Sequence, residues 1–341
     1  MTSAAIKAHA ATLGFDLCGI APADPIPELA LFDDWLARGY AGNMAWLVRT
    51  AEKRKNLQLV VPGARSVIVL GTIYNTDRPY STEVAKPGAA VISRYAWGDD
   101  YHDVLKARLR RLHDWMYEVE PPPFEARYYA DTGPVQERVF AQYAGLGWIG
   151  KHACVINERL GSWFFLSVIV TTLALEPDAR GVDQCGTCTL CIEACPTQAI
   201  VEPRVVDSTR CVSYLTIEER GDIPEELRPG LANRVYGCDV CQDVCPFNHA
   251  PAVSGDPHWQ PRPGLDGATA AQLWRTSDTA LLRLTKGSAM KHAKLPMLRR
   301  NLALALQVSG SQDDRAALAE PAEDRPSADG ALVQRHIRIK A

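Results

Sequence analysis

The chain predicts a mixed α/β (α+β) N-terminal domain, a cysteine-rich metal-binding segment and an α-helical C-terminal domain. Three patterns predict it: β-branched runs interleaved with helical spacing before residue 175, eight cysteines between Cys185 and Cys245, and helical spacing from Ala268 to Val308. At 341 residues the chain has room for two or three domains of ordinary size. The boundaries are expected at 1–175, 176–256 and 257–341.

In the first domain, Ser66–Tyr74 (SVIVLGTIY) reads as a strand because its β-branched run follows the turn-forming Pro62-Gly63. From Tyr101 to Tyr117, Leu105, Leu109, Leu112 and Met116 recur at helical spacing, with Lys106, Arg108, Arg110 and Arg111 on other positions. That is an amphipathic helix with a solvated face. Glu120–Pro123 breaks it, a short strand follows at Ala126–Ala130, and Trp163–Leu175 suits one or two buried strands. Five prolines between Pro246 and Pro263 mark a linker. After Ser309 the composition shifts to Ala, Asp, Glu and Pro, which predicts a flexible tail.

A hydrophobic content of 47% with 23% charged residues excludes disorder and fibrous repeats for the body of the chain. The net charge of −3 gives no global attraction to a polyanion, so any nucleic-acid contact must be local. Trp163–Leu175 is too short an apolar run to span a bilayer, and MTSAAIKAHAATLGF has no long apolar core after a basic start. No membrane is therefore expected as a partner. A reducing, cytoplasmic location suits ten cysteines of which eight stand at metal-ligand spacing.

Cys185, Cys188, Cys191 and Cys195 followed by Pro196 make C-x2-C-x2-C-x3-C-P, the spacing by which ferredoxin-like segments hold four-iron clusters. Three close thiolates wrap one corner of a cubane, and the fourth reaches the other cluster. Structural zinc favours two separated pairs instead. Cys238, Cys241 and Cys245 with Pro246 repeat the last three positions, but Val235 stands where the first cysteine should fall. Cys211, between the runs, is the nearby replacement. The expected groups are Cys185, Cys188, Cys191 and Cys245 for one [4Fe-4S] cluster, and Cys195, Cys211, Cys238 and Cys241 for the other. Cys18 and Cys154 read as buried structural thiols.

Two clusters relay single electrons, and the large domains on either side suggest that an enzyme receives them. No G-x-G-x-x-G or P-loop points to a nucleotide. The cobalamin signature D-x-H-x-x-G is absent too, since Asp100-Tyr101-His102 runs into Asp103, Val104 and Leu105. Spacing and composition stop at a two-cluster oxidoreductase.

Longer blocks go further. Gly42-Asn43-Met44-Ala45-Trp46-Leu47 with Arg54, Ser93-Arg94-Tyr95-Ala96 followed by Asp99-Asp100-Tyr101-His102, Asp131-Thr132-Gly133-Pro134, Gly147-Trp148-Ile149-Gly150-Lys151, Gly161-Ser162-Trp163-Phe164 and both cysteine runs follow in order over residues 40 to 250. In these blocks the chain resembles the epoxyqueuosine reductases, which complete the queuosine modification of transfer RNA. The resemblance implies a cobalamin between the first domain and the clusters, without a histidine on cobalt, and reduction of an epoxide to an alkene. It implies that Arg54, Arg94, Ser213 and Asp239 lie near the corrinoid, that Asp131 contacts it too and is the acid, and that the C-terminal helices are HEAT-like pairs.

A free aspartate, with a pKa of about 3.9, is ionised at neutral pH, so an acid role predicts an Asp131 pKa raised by a dry pocket. The alternative is a loop aspartate before a helix that Pro134 opens at its first position. Between Leu281 and Asn301 lie Arg283, Lys286, Lys291, Lys294, Arg299 and Arg300 without an acidic residue. Lys291, Arg299 and Arg300, with Arg220 nearer the clusters, are the expected contacts to a tRNA anticodon stem-loop. The other reading is a solvated helical face. An external low-potential donor such as a flavodoxin or ferredoxin and a monomeric state are expected. The rival functions are a corrinoid reductive dehalogenase and a non-catalytic electron-transfer module.

Overall fold

The structure, a computed structural model, describes residues 1–309, 311–321 and 324–337. The first domain is built on a four-stranded sheet in the order Leu17–Pro22, Ser66–Ile73, Phe164–Thr171, Ala126–Tyr129, every neighbouring pair antiparallel. This antiparallel order puts the domain on the α+β side of the mixed class. All eight residues of Ser66–Ile73 are buried, because helices cover both faces. Ile68 and Leu70 join a core with the Tyr101–Val119 helix, and Val67 and Val69 join another with the Glu137–Tyr143 helix.

The Tyr101–Val119 helix starts where the Asp100 side chain accepts from the His102 N–H, and buries Leu105, Leu109, Leu112 and Met116 on one stripe. The sheet strand after it ends at Tyr129, and an irregular loop carries residues 130–136 to the Glu137–Tyr143 helix. Pro134 therefore does not open that helix as the alternative reading of Asp131 required. Gly133 sits so tightly on Tyr129 that a Cβ there would lie 2.2 Å from its ring.

In the cysteine-rich segment, short helices at Leu190–Glu193 and Val240–Asp243 lie within the two runs and carry Cys191 and Cys241. The strand Arg234–Tyr236, just before Cys238, pairs in parallel with Val91–Ile92 of the first domain. Val235, at the missing cysteine position, is fully buried in that strand.

The C-terminal helices are Ala270–Arg275, Asp278–Thr285, Leu295–Ser309, Gln312–Ala319 and Ala331–Ile337. Ala317 and Val333 are fully buried against the same core as Leu302 and Trp274. The expected flexible tail thus carries two packed helices. Small and apolar residues at helical spacing outweigh its charged composition, and residues 310, 322–323 and 338–341 of it lie outside the described residues. Among the described residues no helix is long and apolar enough to cross a membrane.

Candidate functional site

The ten cysteines are all free thiols, and eight of them gather as two groups of four. Cys245 and Cys185 pack with Trp148 and Phe247, and the Cys191 thiol feels the charges of Cys245, Cys185 and Cys188. The second group, Cys195, Cys211, Cys238 and Cys241, lines one cavity. Cys241 feels Cys154, Cys238 and Cys211, and Cys211 feels Cys195 and Cys154. Four thiols in each group match the donor set of a four-iron cubane, one to each iron. Burial pushes Cys238 up to about 12 and Cys191 up to about 11. Bare, these sites would hold thiols, and only bound iron would keep them as thiolates.

The cavity measures about 640 Å³ and lies between the sheet and the cysteine segment. Tyr74, Phe164, Phe165 and Leu166 supply apolar wall, and Asp131, Glu137, Ser213, Asp239 and Gln242 supply polar groups. Asp239 is fixed because its carboxylate accepts from the Ser93 hydroxyl and, at 2.7 Å, from the Arg94 N–H. Burial pushes its pKa up. The strand pairing beside Cys238 brings these residues together.

Asp131 occupies a left-handed backbone conformation, φ 61°, which aspartate tolerates better than most residues. Its Oδ2 accepts from the Tyr101 hydroxyl at 2.6 Å and lies 3.6 Å from His102 Nε2. His102 Nδ1 is 2.8 Å from Asp100 Oδ1, and Asp100 Oδ2 pairs with Lys291 Nζ at 2.7 Å. The Asp131 side chain is 63% exposed and lines the cavity.

Burial pushes the Asp131 carboxyl up, yet the bonds from His102 and Tyr101 outweigh it and hold its pKa below the ordinary value. The expected raised pKa is therefore not found, because the loop supplies two donors where the sequence suggested only a dry pocket. The raised carboxyl is its neighbour Glu137. Burial first, and the Asp131 charge second, push it up to about 8. Burial works against charge on His102 as well, but Asp100 and Asp131 override it and raise this imidazole to about 9.

The residues expected near the corrinoid divide. Ser213, Asp239 and Asp131 line the cavity. Arg94 does not, because its guanidinium is spent inside the protein on Thr76 O and Oγ1, Arg78 O and Pro79 O, at 2.8–3.0 Å. Arg54 donates to Thr50 Oγ1 and Val135 O, and so braces the Asp131 loop from behind.

Sequence reasoning gave no role to Tyr101, His102, Glu137 or His152. Tyr101 and His102 stand in a block quoted for its resemblance, where their proximity to Asp131 could have been suspected. His152 and Glu137 carry no local signal. Cys154, read as an inert thiol, lines the cavity with its Sγ 3.6 Å from Gln242 Oε1. Cys18 is a strand residue whose thiol burial pushes up to about 12.

His152 tests whether a corrinoid suits this cavity. Its Nδ1 accepts from the Cys154 N–H at 3.1 Å, so Nε2 carries the proton of the neutral ring, and Nε2 is buried without a partner. An unanswered donor at an amphipathic cavity fits a large ligand rich in amide oxygens, as a corrinoid is.

Two family models match the chain: Epoxyqueuosine reductase QueG, DUF1730, over residues 54–132, and the 4Fe-4S double cluster binding domain over residues 184–248. A relative named epoxyqueuosine reductase from Xanthomonas campestris pv. campestris is 40% identical over 338 residues, covering 98% of this chain and 94% of its own. The chain belongs to the epoxyqueuosine reductase family. A second member, from Gloeobacter violaceus, is 45% identical over 91% of this chain and 97% of its own. Two solved epoxyqueuosine reductases share the fold over 98% of this chain and 88% of theirs. One, in complex with an epoxyqueuosine-modified tRNA-Tyr stem loop, is 29% identical with a TM-score of 0.83. The other, from Bacillus subtilis with its aspartate-bearing catalytic loop swung out of the active site, is 27% identical with a TM-score of 0.84. Members of this family are oxidoreductases, and the double-cluster domain gives this one two [4Fe-4S] clusters.

Against that family frame the expected RNA contacts need correction. Arg299 and Arg300 are completely buried. Arg299 donates to Trp274 O and pairs with Asp278. Arg300 donates to Leu215 O, Glu219 O and Gly221 O, at 2.6–2.7 Å. They lie on the Leu295–Ser309 helix, buried at every position from Met297 to Leu306, so neither can reach a phosphate. Lys291 is half-exposed and paired with Asp100 and Asp103. Arg220 is exposed, its guanidinium against Met297 Sδ.

Proposed function

We propose that this chain reduces the epoxide of epoxyqueuosine in the anticodon wobble position of tRNA to the alkene of queuosine. The observation that carries the reading is one cavity lined by both the Asp131 carboxylate and four sulfurs of the second cysteine group. Epoxide, two electrons and two protons give alkene and water. The electrons need a route and the oxygen needs protons, and this cavity has both on its walls.

The division of labour follows the segments. Residues 1–175 form the cobalamin-binding catalytic domain and residues 176–256 hold the clusters. Residues 257–341 form a HEAT-like helical unit that steadies the cluster segment and presents a surface to the RNA. Cys185, Cys188, Cys191 and Cys245 ligate the outer cluster, and Cys195, Cys211, Cys238 and Cys241 the inner one. Ser213, Asp239 and His152 would hold the corrinoid. Cobalamin, when bound, supplies a low-potential cobalt centre able to pass electrons to a strained C–O bond.

The chain's own residues do the rest. Asp131 delivers protons to the departing oxygen, and the apolar wall of Phe164, Phe165 and Leu166 keeps water from the reduced centre. Lys291 and Arg220 remain as phosphate contacts that position the stem-loop, while an unstacked base enters the cavity. A flavodoxin- or ferredoxin-class carrier charges the outer cluster, and the protein works as a cytoplasmic monomer.

The test is anaerobic protein loaded with iron, sulfide and cobalamin, given a strong reductant and RNA bearing epoxyqueuosine. Nucleoside analysis should show queuosine. Fully loaded protein that leaves the epoxide intact overturns the reading.

A further inference from the structure

The reduction consumes two protons, and Asp131 can deliver only one at a time. Its carboxyl, held below the ordinary range, begins ionised at neutral pH. Protons must therefore be kept beside it. His102, with Nε2 3.6 Å from Asp131 Oδ2, is one such store. The family resemblance names no second.

Glu137 has the geometry for it. It is the first residue of the Glu137–Tyr143 helix and lines the cavity with Asp131. Its Oε1 accepts from the Asp131 backbone N–H at 2.9 Å. That bond holds a residue at φ 61°, a left-handed conformation that a non-glycine residue keeps only when its surroundings impose it. Among the described residues no cation forms an ion pair with Glu137. The charged and titratable groups facing it are Asp131 on the loop, Tyr101 on the Tyr101–Val119 helix, Arg54 on the Ala51–Lys55 helix and Arg138 on its own helix. Arg54 is turned to Thr50 Oγ1 and Val135 O, and Arg138 donates to Ala153 O at 3.0 Å. A partly buried carboxyl in a cavity wall, beside an ionised one and without an ion-paired partner, keeps its proton.

We infer that Glu137 is the positioning residue that holds the Asp131 loop in place, and that as a neutral acid it stores the second proton of the reduction. The inference rests on the function proposed above. Its proton balance is complete: the two C–O bonds of the epoxide break and the C=C bond forms with two electrons from the clusters. The oxygen leaves as water with one proton from His102, passed through Asp131, and one from Glu137, released into the cavity that both carboxyls line. The enzyme is left with neutral His102 and a Glu137 carboxylate, which water recharges. The raised titration of Glu137, to about 8, agrees with the neutral acid.

The experiment uses the fully loaded enzyme and the variants Glu137→Gln and Glu137→Ala. The amide of Glu137→Gln can still accept from Asp131 N–H but stores no proton. Wild-type kcat should fall as pH rises through about 8, where Glu137 loses its proton. Glu137→Gln should lose at least tenfold in kcat at pH 7, keep KM within about twofold and lose that pH limb. Glu137→Ala, which also frees the loop, should raise KM several-fold as well. A Glu137→Gln enzyme with wild-type kcat and an unchanged pH limb overturns the inference.

Infrared difference spectra give a second readout that needs no turnover. Wild type should show a neutral carboxylic acid band that disappears between pH 7 and 9, Asp131→Asn should show the same band lost at lower pH because the neighbouring charge is gone, and Glu137→Gln should lack it. Persistence of the band in Glu137→Gln overturns the inference whatever the activity. Failure of the wild type to convert the epoxide, with the band present, overturns the proposed substrate and leaves the protonated Glu137 standing.

Discussion

The two cysteine groups derive from one repeated run but live in different surroundings. Beside the outer group of Cys185, Cys188, Cys191 and Cys245, Val182 before the first run and Leu190 within it are 75% and 46% exposed. The inner group faces the cavity with Asp131 and Asp239. Each run also sends its last cysteine to the other group, Cys195 inward and Cys245 outward, which fixes their spacing. The contrast gives a direction: a carrier can approach the outer group, and only the inner group meets the reaction chamber.

The largest effect should come from breaking the inner group at the ligand its own run does not supply. Cys211→Ala should leave about four irons per chain where the wild type holds about eight, and abolish turnover. Iron and acid-labile sulfide analysis of anaerobic protein checks it. Retention of all the iron would transfer the fourth ligand to Cys154, whose charge Cys241 also feels and which lines the same cavity.

Next in size is Asp131→Asn. It should lower turnover by about 10²- to 10⁴-fold while both clusters and the corrinoid still bind, since the residue serves the proton side of the cavity and not the sulfur side. Cofactor absorption together with single-turnover kinetics separates the two. Undiminished turnover would remove Asp131 from proton delivery.

How much of this was legible in the sequence depended on distance along the chain. The outer loop could be read because three of its sulfurs lie within seven residues, and spacing alone carries that chemistry. The inner group needed Cys211, visible only because Val235 occupies the cysteine position. The proton side was hardly legible: Glu137, His102 and Tyr101 gain their roles from a cavity formed by three elements, and burial there decides which carboxyl keeps a proton. The arginines misled in the opposite sense. Arg299 and Arg300 look like a basic patch in a linear reading. Their neighbours Met297, Leu298, Leu302 and Leu304 are apolar all round the helix, and that is the signal that the arginines serve buried carbonyls.

That misreading makes a third test. Arg300→Met should destabilise the protein by about 3 kcal/mol or more, because it strands the buried carbonyls of Leu215, Glu219 and Gly221. These flank the Val212–Ile217 helix that begins right after Cys211, so the inner cluster should be lost at lower temperature than the outer one. Thermal melting followed by cluster absorption measures both. RNA affinity of the folded fraction should stay within about twofold, whereas Arg220→Glu, on the exposed surface, should weaken it and flatten its salt dependence by about one phosphate contact.

The smallest expected effect lies at the outer group. Trp148 Nε1 donates to Cys185 Sγ at 3.4 Å, and this hydrogen bond favours the more negative, reduced cluster. Trp148→Phe keeps the ring that packs edge-on against Phe247 and removes only the donor. A hydrogen bond of about 0.5–1.5 kcal/mol corresponds to roughly 20–65 mV for one electron, so the outer potential should fall by no more than that. The inner cluster, with no contact to Trp148, should keep its potential. Redox titration followed by electron paramagnetic resonance resolves the two, and an equal shift in both would show that they respond as one unit, against the division into entry and exit.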